Sequence, residues 1–216
     1  MNKREALRGL HVVTDYIAVQ EAPVPRDLVT AIELALQGGA RVIQLRYKQG
    51  TTAKRIALGQ KLKPLTEQHG ALLLVNDDVD AALAIGADGV HVGQDDQPAI
   101  EVRNLIGSDK ILGVSAYTVD DALKAEIEGA DYVGVLVFES KTSKINAGKA
   151  VGLSGITEIS RAVQIPVIGI GGIHAGIAQE VLDRGAFGFA VIGDVLRTAD
   201  QRQAAARYPR PLSRRI

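Results

Sequence analysis

The sequence predicts a single α/β domain over residues 1–216 that closes as a (β/α)8, or TIM, barrel. Two observations predict it: eight short apolar runs alternate with segments of helical period, and one phrase recurs at every second run. The phrase reads "GGARVIQL" at Gly38, "GADGVHVG" at Gly86, "GADYVGVL" at Gly129 and "GAFGFAVI" at Gly185. Each time an amphipathic stretch precedes it and a β-branched run follows. Glycine just past a helix end relieves left-handed backbone strain there, and alanine lets the chain turn tightly into the next strand. A repeat of two βα units, roughly 45 residues long, is what a barrel of paired units would show. A doubly wound open sheet is the rival, but eight evenly spaced units favour closure.

The elements follow in order. "LHVVTD" (Leu10 to Asp15) opens the set as the first strand. "DLVTAIELALQ" places Leu, Ile and Val at i, i+3, i+4 and i+7, the stripe of an amphipathic helix. The second strand lies in "GGARVIQL" and the third in "LLLVND", after which Asp78 caps a helix over "DVDAALAIG". "GADGVHVG" supplies the fourth strand, and "AIEVRNLIG" has helical period. The fifth strand, "ILGVSA" (Ile111 to Ala116), precedes "TVDDALKAEIEG", where Thr118 is the N-cap. "GADYVGVL", "PVIGIGG" (Pro166 to Gly172) and "GAFGFAVI" complete the eight. The runs are continuously apolar, as suits parallel strands covered by helices. The basic tail, from about residue 206 and ending "RYPRPLSRRI" with two prolines, is expected to be a loose terminus.

Composition removes several classes of function. Lys plus Arg and Asp plus Glu balance at 25 each, so no global basic field draws in nucleic acid or an anionic membrane. The absence of cysteine excludes disulfides, thiolate metal sites and a thiol nucleophile. The charged start "MNKREALRGL" lacks the apolar core of a signal peptide, and no apolar run approaches the ~18 residues a membrane span needs. A cytoplasmic protein acting on small molecules is the expectation, with a homodimer left open.

In such a barrel the chemistry sits where the strands end at their carboxyl side. The second strand runs into "VIQLRYK", whose Gln44, Arg46 and Lys48 at alternate positions would share one side of an extended chain. The third ends in Asn76, Asp77 and Asp78, and the fourth in "HVGQDD" with His91, Gln94, Asp95 and Asp96. Ser115 and Tyr117 follow the fifth, and the loop "FESKTSKINAGKA" the sixth. The seventh ends "GIGGI" and the eighth Ile192-Gly193-Asp194.

Carboxylates from neighbouring strands repel unless something neutralises them. An oxygen-donor set without cysteine points to Mg²⁺, held by one or two carboxylates together with substrate phosphate oxygens. Arg46, Lys48 and Lys144 would add positive charge to the same mouth, so a metal-assisted diphosphate is expected. The bare backbone of "GIGGI" and of the last strand's end suits a second, metal-free phosphate. Some residues have simpler uses: Asp78 as a helix cap, His91 and His11 as satisfied structural histidines, and His69 as a surface helix terminus. "GIGGI" is not the dinucleotide fingerprint, because the third spaced glycine and the later acidic residue are missing.

The series "QLRYK", "VNDD", "HVGQDD", "GVSAYT", a Lys-bearing loop after "DYVGV" and "PVIGIGGI" resembles the thiamine phosphate synthase family. It covers the chain from the first strand almost to the last helix. The resemblance implies an Mg²⁺-dependent transferase that joins hydroxymethylpyrimidine diphosphate to thiazole phosphate and releases diphosphate. It implies that Gln44, Arg46, Lys48 and Asn76 hold the pyrimidine diphosphate and that Asp77 and Asp96 bind the metal. It further implies that Ser115 and Lys144 lie near the leaving group or reacting centre, with Lys141, Thr142 and Ser143 in the same substrate-binding loop. The backbone at Gly171, Gly172, Ile192 and Gly193 would hold the thiazole phosphate. The catalytic roles fall to Ser115, Lys144 and Arg46.

The sequence departs from that pattern in places. Leu136-Val137 stand where the family has glycine-proline, Lys141 to Lys144 replace its Thr-x-Thr-Lys, and Gly193 replaces a phosphate-binding serine. "VFES" resembles the sister branch of thiazole tautomerases, but Tyr117 stands where that branch carries a histidine, and the diphosphate set is complete. The tautomerase and a noncatalytic thiazole-phosphate-binding barrel are the alternatives.

Overall fold

The computed structural model describes residues 3–139 and 150–210. Eight strands, β1 (Gly9–Val13), β2 (Val42–Leu45), β3 (Leu72–Asn76), β4 (Gly89–Val92), β5 (Ile111–Ala116), β6 (Tyr132–Leu136), β7 (Val167–Ile170) and β8 (Gly188–Val191), form one closed barrel in sequence order. Every neighbouring pair is parallel, and β8 closes on β1 with Leu10 opposite Phe189. The expected (β/α)8 barrel is therefore the observed one.

The continuous apolar runs reflect two separate cores. Residues such as Val12, Ile43, Leu73, Val90, Leu112, Val133 and Val191 face outward and pack under the helices. Val13, Val42, Leu74, Ile111, Tyr132, Ile168 and Ala190 fill the inside of the barrel. Both faces of each strand are thus buried, and a fully buried Leu or Ile contributes about 1.5–3 kcal/mol. The helix Leu28–Gln37 buries Leu28, Ala31, Ile32, Ala35 and Leu36, the stripe its periodicity predicts. Thr118 caps Val119–Ile127 in a full capping box with Asp121.

The recurring phrase does its expected work with one shift of register. Gly86, Gly129 and Gly185 take left-handed φ values of 70°, 89° and 104° at helix ends. In the first copy Gly39 does so (φ 108°), while Gly38 still has helical φ (−75°). The aspartates of the second and third copies brace the amino end of the barrel. Asp88 Oδ2 accepts the Leu73 amide at 2.8 Å and pairs with Lys63 Nζ, and Asp131 Oδ2 accepts the Leu112 amide at 2.8 Å and pairs with Arg103 at 2.6 Å.

The start of the tail, through residue 210, is more tightly held than its composition predicts. A helix, Gln201–Ala206, is followed by Tyr208, which is buried and stacks on Phe189 with ring centroids 5.1 Å apart. The loose segment therefore does not start at 206, because an aromatic ring docked between helix and sheet removes enough apolar surface from water to hold the chain. Residues 211–216 lie outside the described residues. Among the described residues no helix is long and apolar enough to cross a membrane.

Candidate active site

A cavity of about 510 Å³ opens at the carboxyl ends of the strands. Its lining includes Gln44, Arg46, Asn76, Asp77 and Ser115 from the β2–β5 side and Gly171, Gly172, Ile192 and Gly193 from the β7–β8 side. In a ring of eight, β3 stands across from β7 and β4 from β8, so the two groups face each other.

Arg46 lies just past β2, where the ladder has ended. The buried hydroxyl of Thr14 holds its backbone from both sides, accepting the Arg46 amide at 2.8 Å and donating to the Arg46 carbonyl at 2.9 Å. The guanidinium lies 3.7 Å from Asp15. Burial pushes its pKa down, while the charges of Asp15 and then Asp77 push it back up. Lys48, by contrast, falls in an exposed turn and is absent from the cavity wall. The alternation "Gln44, Arg46, Lys48" fails there because β2 stops at Leu45, and the period of two holds only while the chain is extended.

Asp77 follows β3 in a left-handed conformation (φ 65°), the lone positive φ outside glycine among the described residues. Strain of this kind costs on the order of 1 kcal/mol and concentrates at functional sites. The Asp77 amide donates to the His91 carbonyl at 2.8 Å, which fixes the turn against β4. Asp78 turns away to cap Val79–Ile85 through the Ala81 amide (2.9 Å) and pairs with Arg55 at 3.0 Å, as its capping role predicts. Asp96, after β4, accepts the Gly93 amide at 2.7 Å and lies near enough to Tyr117 to help raise its pKa, behind burial, Asp95 and Asp121. Asp77 and Asp96 thus share one rim on adjacent strands, Asp77 in the cavity wall and Asp96 beside it.

His91 and Tyr132, neither in the expected site set, line the cavity. His91, taken as a structural histidine, lines the cavity, with Nε2 at 3.0 Å from Ser115 Oγ and Nδ1 at 2.9 Å from the Tyr132 hydroxyl. Tyr132 in turn shares a hydrogen bond with Gln44, and burial raises its pKa far above the phenolic range, so the hydroxyl stays protonated. A polar chain from Gln44 through Tyr132 and His91 to Ser115 therefore crosses the cavity floor. Room for it is made by glycine: a Cβ on Gly113 would stand 2.1 Å from the Tyr132 ring, and one on Gly134 would stand 2.9 Å from His91 Cε1. The signal was present in "HVG", "LGVS" and "YVGV", where interior positions alternate polar rings with glycine, but it becomes readable only once the strands are in register.

His11 does sit as a satisfied structural residue, buried at the cavity floor with Nε2 2.7 Å from the Leu7 carbonyl. Burial pulls its pKa down to about 4. His69 is the exposed C-cap of Thr52–Gln68, as expected. Leu136 is buried in the cavity wall, its Cδ1 2.3 Å from where a Gly171 Cβ would stand, so the departure from glycine-proline is accommodated by a bare backbone opposite. Gly171 and Gly172 both adopt left-handed φ, 86° and 61°. The expected Lys141, Thr142, Ser143 and Lys144 lie outside the described residues. Sequence reading also missed His174 and Arg197, which line the β7–β8 side from helix-terminal positions that carry no periodic signal.

Among the described residues no three His, Cys, Asp or Glu side chains cluster as a metal cage. What the rim offers is a pair of carboxylates on adjacent strands, a donor set that fits a hard cation completing its shell with substrate oxygens and water.

Known proteins share the sequence and the fold. The family model described as thiamine monophosphate synthase (TMP-TENI) matches residues 10–195. The chain is 49% identical to a thiamine-phosphate synthase of Roseiflexus castenholzii, covering 91% of this chain and 85% of that one. It is 45% identical to one of Moorella thermoacetica, with 88% and 90% covered. The solved thiamine phosphate pyrophosphorylase of Pyrococcus furiosus superposes with a TM-score of 0.85 at 38% identity over 95% of each chain. With its barrel, its polar mouth and these matches together, the chain belongs to the thiamine monophosphate synthase family of transferases.

Proposed function

We propose that this chain joins a pyrimidine carrying a methylene diphosphate to a thiazole phosphate, giving thiamine phosphate and free diphosphate. The observation that carries the reading is one cavity whose β2–β4 side carries Gln44, Arg46, Asn76 and Asp77 and whose facing β7–β8 side carries Gly171, Gly172 and Gly193 with Arg197 and Asp194. The C–O bond between the pyrimidine methylene and diphosphate breaks, its electrons leaving with the diphosphate. The thiazole nitrogen then supplies the pair that forms the new C–N bond. No covalent enzyme intermediate is needed.

Each wall has its task. Gln44, Arg46 and Asn76 bind the pyrimidine diphosphate, and the Arg46 guanidinium meets charge that develops on the leaving oxygen. Ser115 is held by His91, whose other ring nitrogen is held by Tyr132, and its hydroxyl serves the reacting centre in this reading. The backbone at Gly171, Gly172, Ile192 and Gly193 anchors the thiazole phosphate and brings the nitrogen within reach. Asp77 and Asp96 would hold Mg²⁺, which when bound supplies Lewis-acid neutralisation of the diphosphate. Lys48 and the Lys141 to Lys144 segment complete the substrate-binding set in this reading. The partners are small phosphorylated molecules, with neither nucleic acid nor membrane involved, and the place of work is the cytoplasm.

The test is an assay with both substrates and Mg²⁺ that follows diphosphate and thiamine phosphate together. Equal release of the two products is expected. Binding of the thiazole phosphate without any product would instead identify a noncatalytic barrel.

A further inference from the structure

We infer that the Arg197 guanidinium clamps the phosphate monoester on the β8 side of the cavity, and that residue 193 is glycine because the guanidinium needs its side-chain space. The inference rests on the proposed seat of the thiazole phosphate and assigns that seat its cation. Arg197 follows the short helix Gly193–Leu196 and folds back over it. Its Nη1 lies 3.1 Å, and its Cδ 3.5 Å, from where a Cβ on Gly193 would stand. Any larger residue there would push the fork away.

Charge accounting singles this residue out. Among the described residues lining the cavity, the arginines and lysines are two: Arg46 after β2 and Arg197 after β8. Each is tied to a carboxylate from the segment that follows β1, Arg46 to Asp15 at 3.7 Å and Arg197 Nε to Glu21 at 2.8 Å. The Glu21 pair uses the Nε edge, so the fork is anchored while Nη1 stays turned toward Gly193. The neighbouring Asp194 carboxylate accepts a hydrogen bond from the Tyr208 hydroxyl at 2.7 Å, and burial first and Asp194 second keep that hydroxyl protonated. Without Arg197, a phosphate dianion on this wall would face the carboxylates of Asp194 and Glu21 with no cationic arginine or lysine among the described lining residues of that side. Arginine's planar fork suits a phosphate, and at 35% exposure its side chain is sheltered without being stripped of water.

The test is steady-state kinetics of the full chain with both substrates. Arg197→Gln is expected to raise the KM for thiazole phosphate about tenfold, the scale of one charge-assisted hydrogen bond, with kcat and the KM for the pyrimidine diphosphate changed less than about twofold. The same variant should lose preference for the phosphorylated thiazole over its free alcohol, measured by calorimetric binding. Gly193→Ser should weaken thiazole phosphate binding in the native chain and have a smaller effect beside Arg197→Gln. Glu21→Gln, which loosens the anchor alone, should cost less than about threefold. If Arg197→Gln does not fold, Arg197→Lys serves, with a KM increase of about threefold expected from loss of the fork. An unchanged thiazole phosphate KM in a variant that still makes thiamine phosphate overturns the role of Arg197 and leaves the proposed function standing. Equal rises for both substrates would make Arg197 a scaffold residue and also overturn it. A native chain that binds no thiazole phosphate overturns both readings.

Discussion

Asp88 and Asp131, before β4 and β6, and Asp77 and Asp96, after β3 and β4, are the same residue type at the same kind of boundary, yet the two ends of the barrel use them differently. At the amino end each aspartate accepts the second amide of a neighbouring strand and pairs with a basic residue on a helix, Lys63 or Arg103. Such carboxylates brace one strand against the next and are satisfied by the fold itself. At the carboxyl end Asp77 holds a left-handed backbone, lines the cavity and sits in the field of Arg46, while Asp96 flanks Tyr117 at the same rim. Barrels commonly divide stability and chemistry between their two ends in this way. The difference teaches that a strand-terminal aspartate means little until its end of the strand is known.

Substitution can break that contrast most sharply at Asp77. Asp77→Asn keeps a residue that tolerates left-handed φ, so folding should survive while turnover falls on the order of 1000-fold, read as thiamine phosphate formed per unit time. Asp96→Asn should behave alike. Unaltered turnover in either would erase the distinction between the ends.

His11 lies between the two regions, at the floor of the cavity with its ring nitrogen on a carbonyl of the amino end. Its folded pKa of about 4 lies below the ordinary histidine value of 6.5, so the unfolded chain takes up the proton first as pH falls. The stability it permits is complete above about pH 6.5 and is lost as pH drops toward 4, by up to about 3 kcal/mol. Urea unfolding at pH 7, 5.5 and 4.5 should show a steeper decline for the native chain than for His11→Gln, and parallel declines would remove the assignment.

Asp131→Ala is the amino-end counterpart of Asp77→Asn. Losing its amide and Arg103 contacts should cost about 2 kcal/mol and lower Tm by roughly 5 °C, with kcat and both KM values unchanged. Smaller still are the effects that sharpen the picture within the carboxyl end. Arg46→Ala should raise the KM for the pyrimidine diphosphate about tenfold, and Lys48→Ala less than about threefold, because the first lines the cavity and the second lies in an exposed turn. Similar losses from both would show that the turn at Lys48 closes over the ligand.

Much of this was legible beforehand. The glycine phrase and the apolar runs gave eight strands in order, and Asp78, Thr118 and His69 take the local positions their spacing implied. Capping and helical period depend on neighbours within four residues, so they can be read along the chain. Lys48 does not share one side of an extended chain with Gln44 and Arg46, because β2 ends at Leu45. The start of the tail is held where a loose terminus was expected, because basic residues and prolines describe solvent preference, while Tyr208 finds Phe189 and Asp194 only after the barrel has closed.

The sequence by itself determined the βα alternation, the closure of the barrel and the residues that stand at its strand ends, since these follow from local periodicity and from glycine at helix termini. The tertiary structure alone decided that His91 meets Ser115 and Tyr132, that Gly113 and Gly134 leave space for their rings, and that Arg197 occupies the space beside Gly193. The reason is strand register and ring closure: a contact between side chains on different strands depends on how the strands align, and no single stretch of sequence carries that alignment.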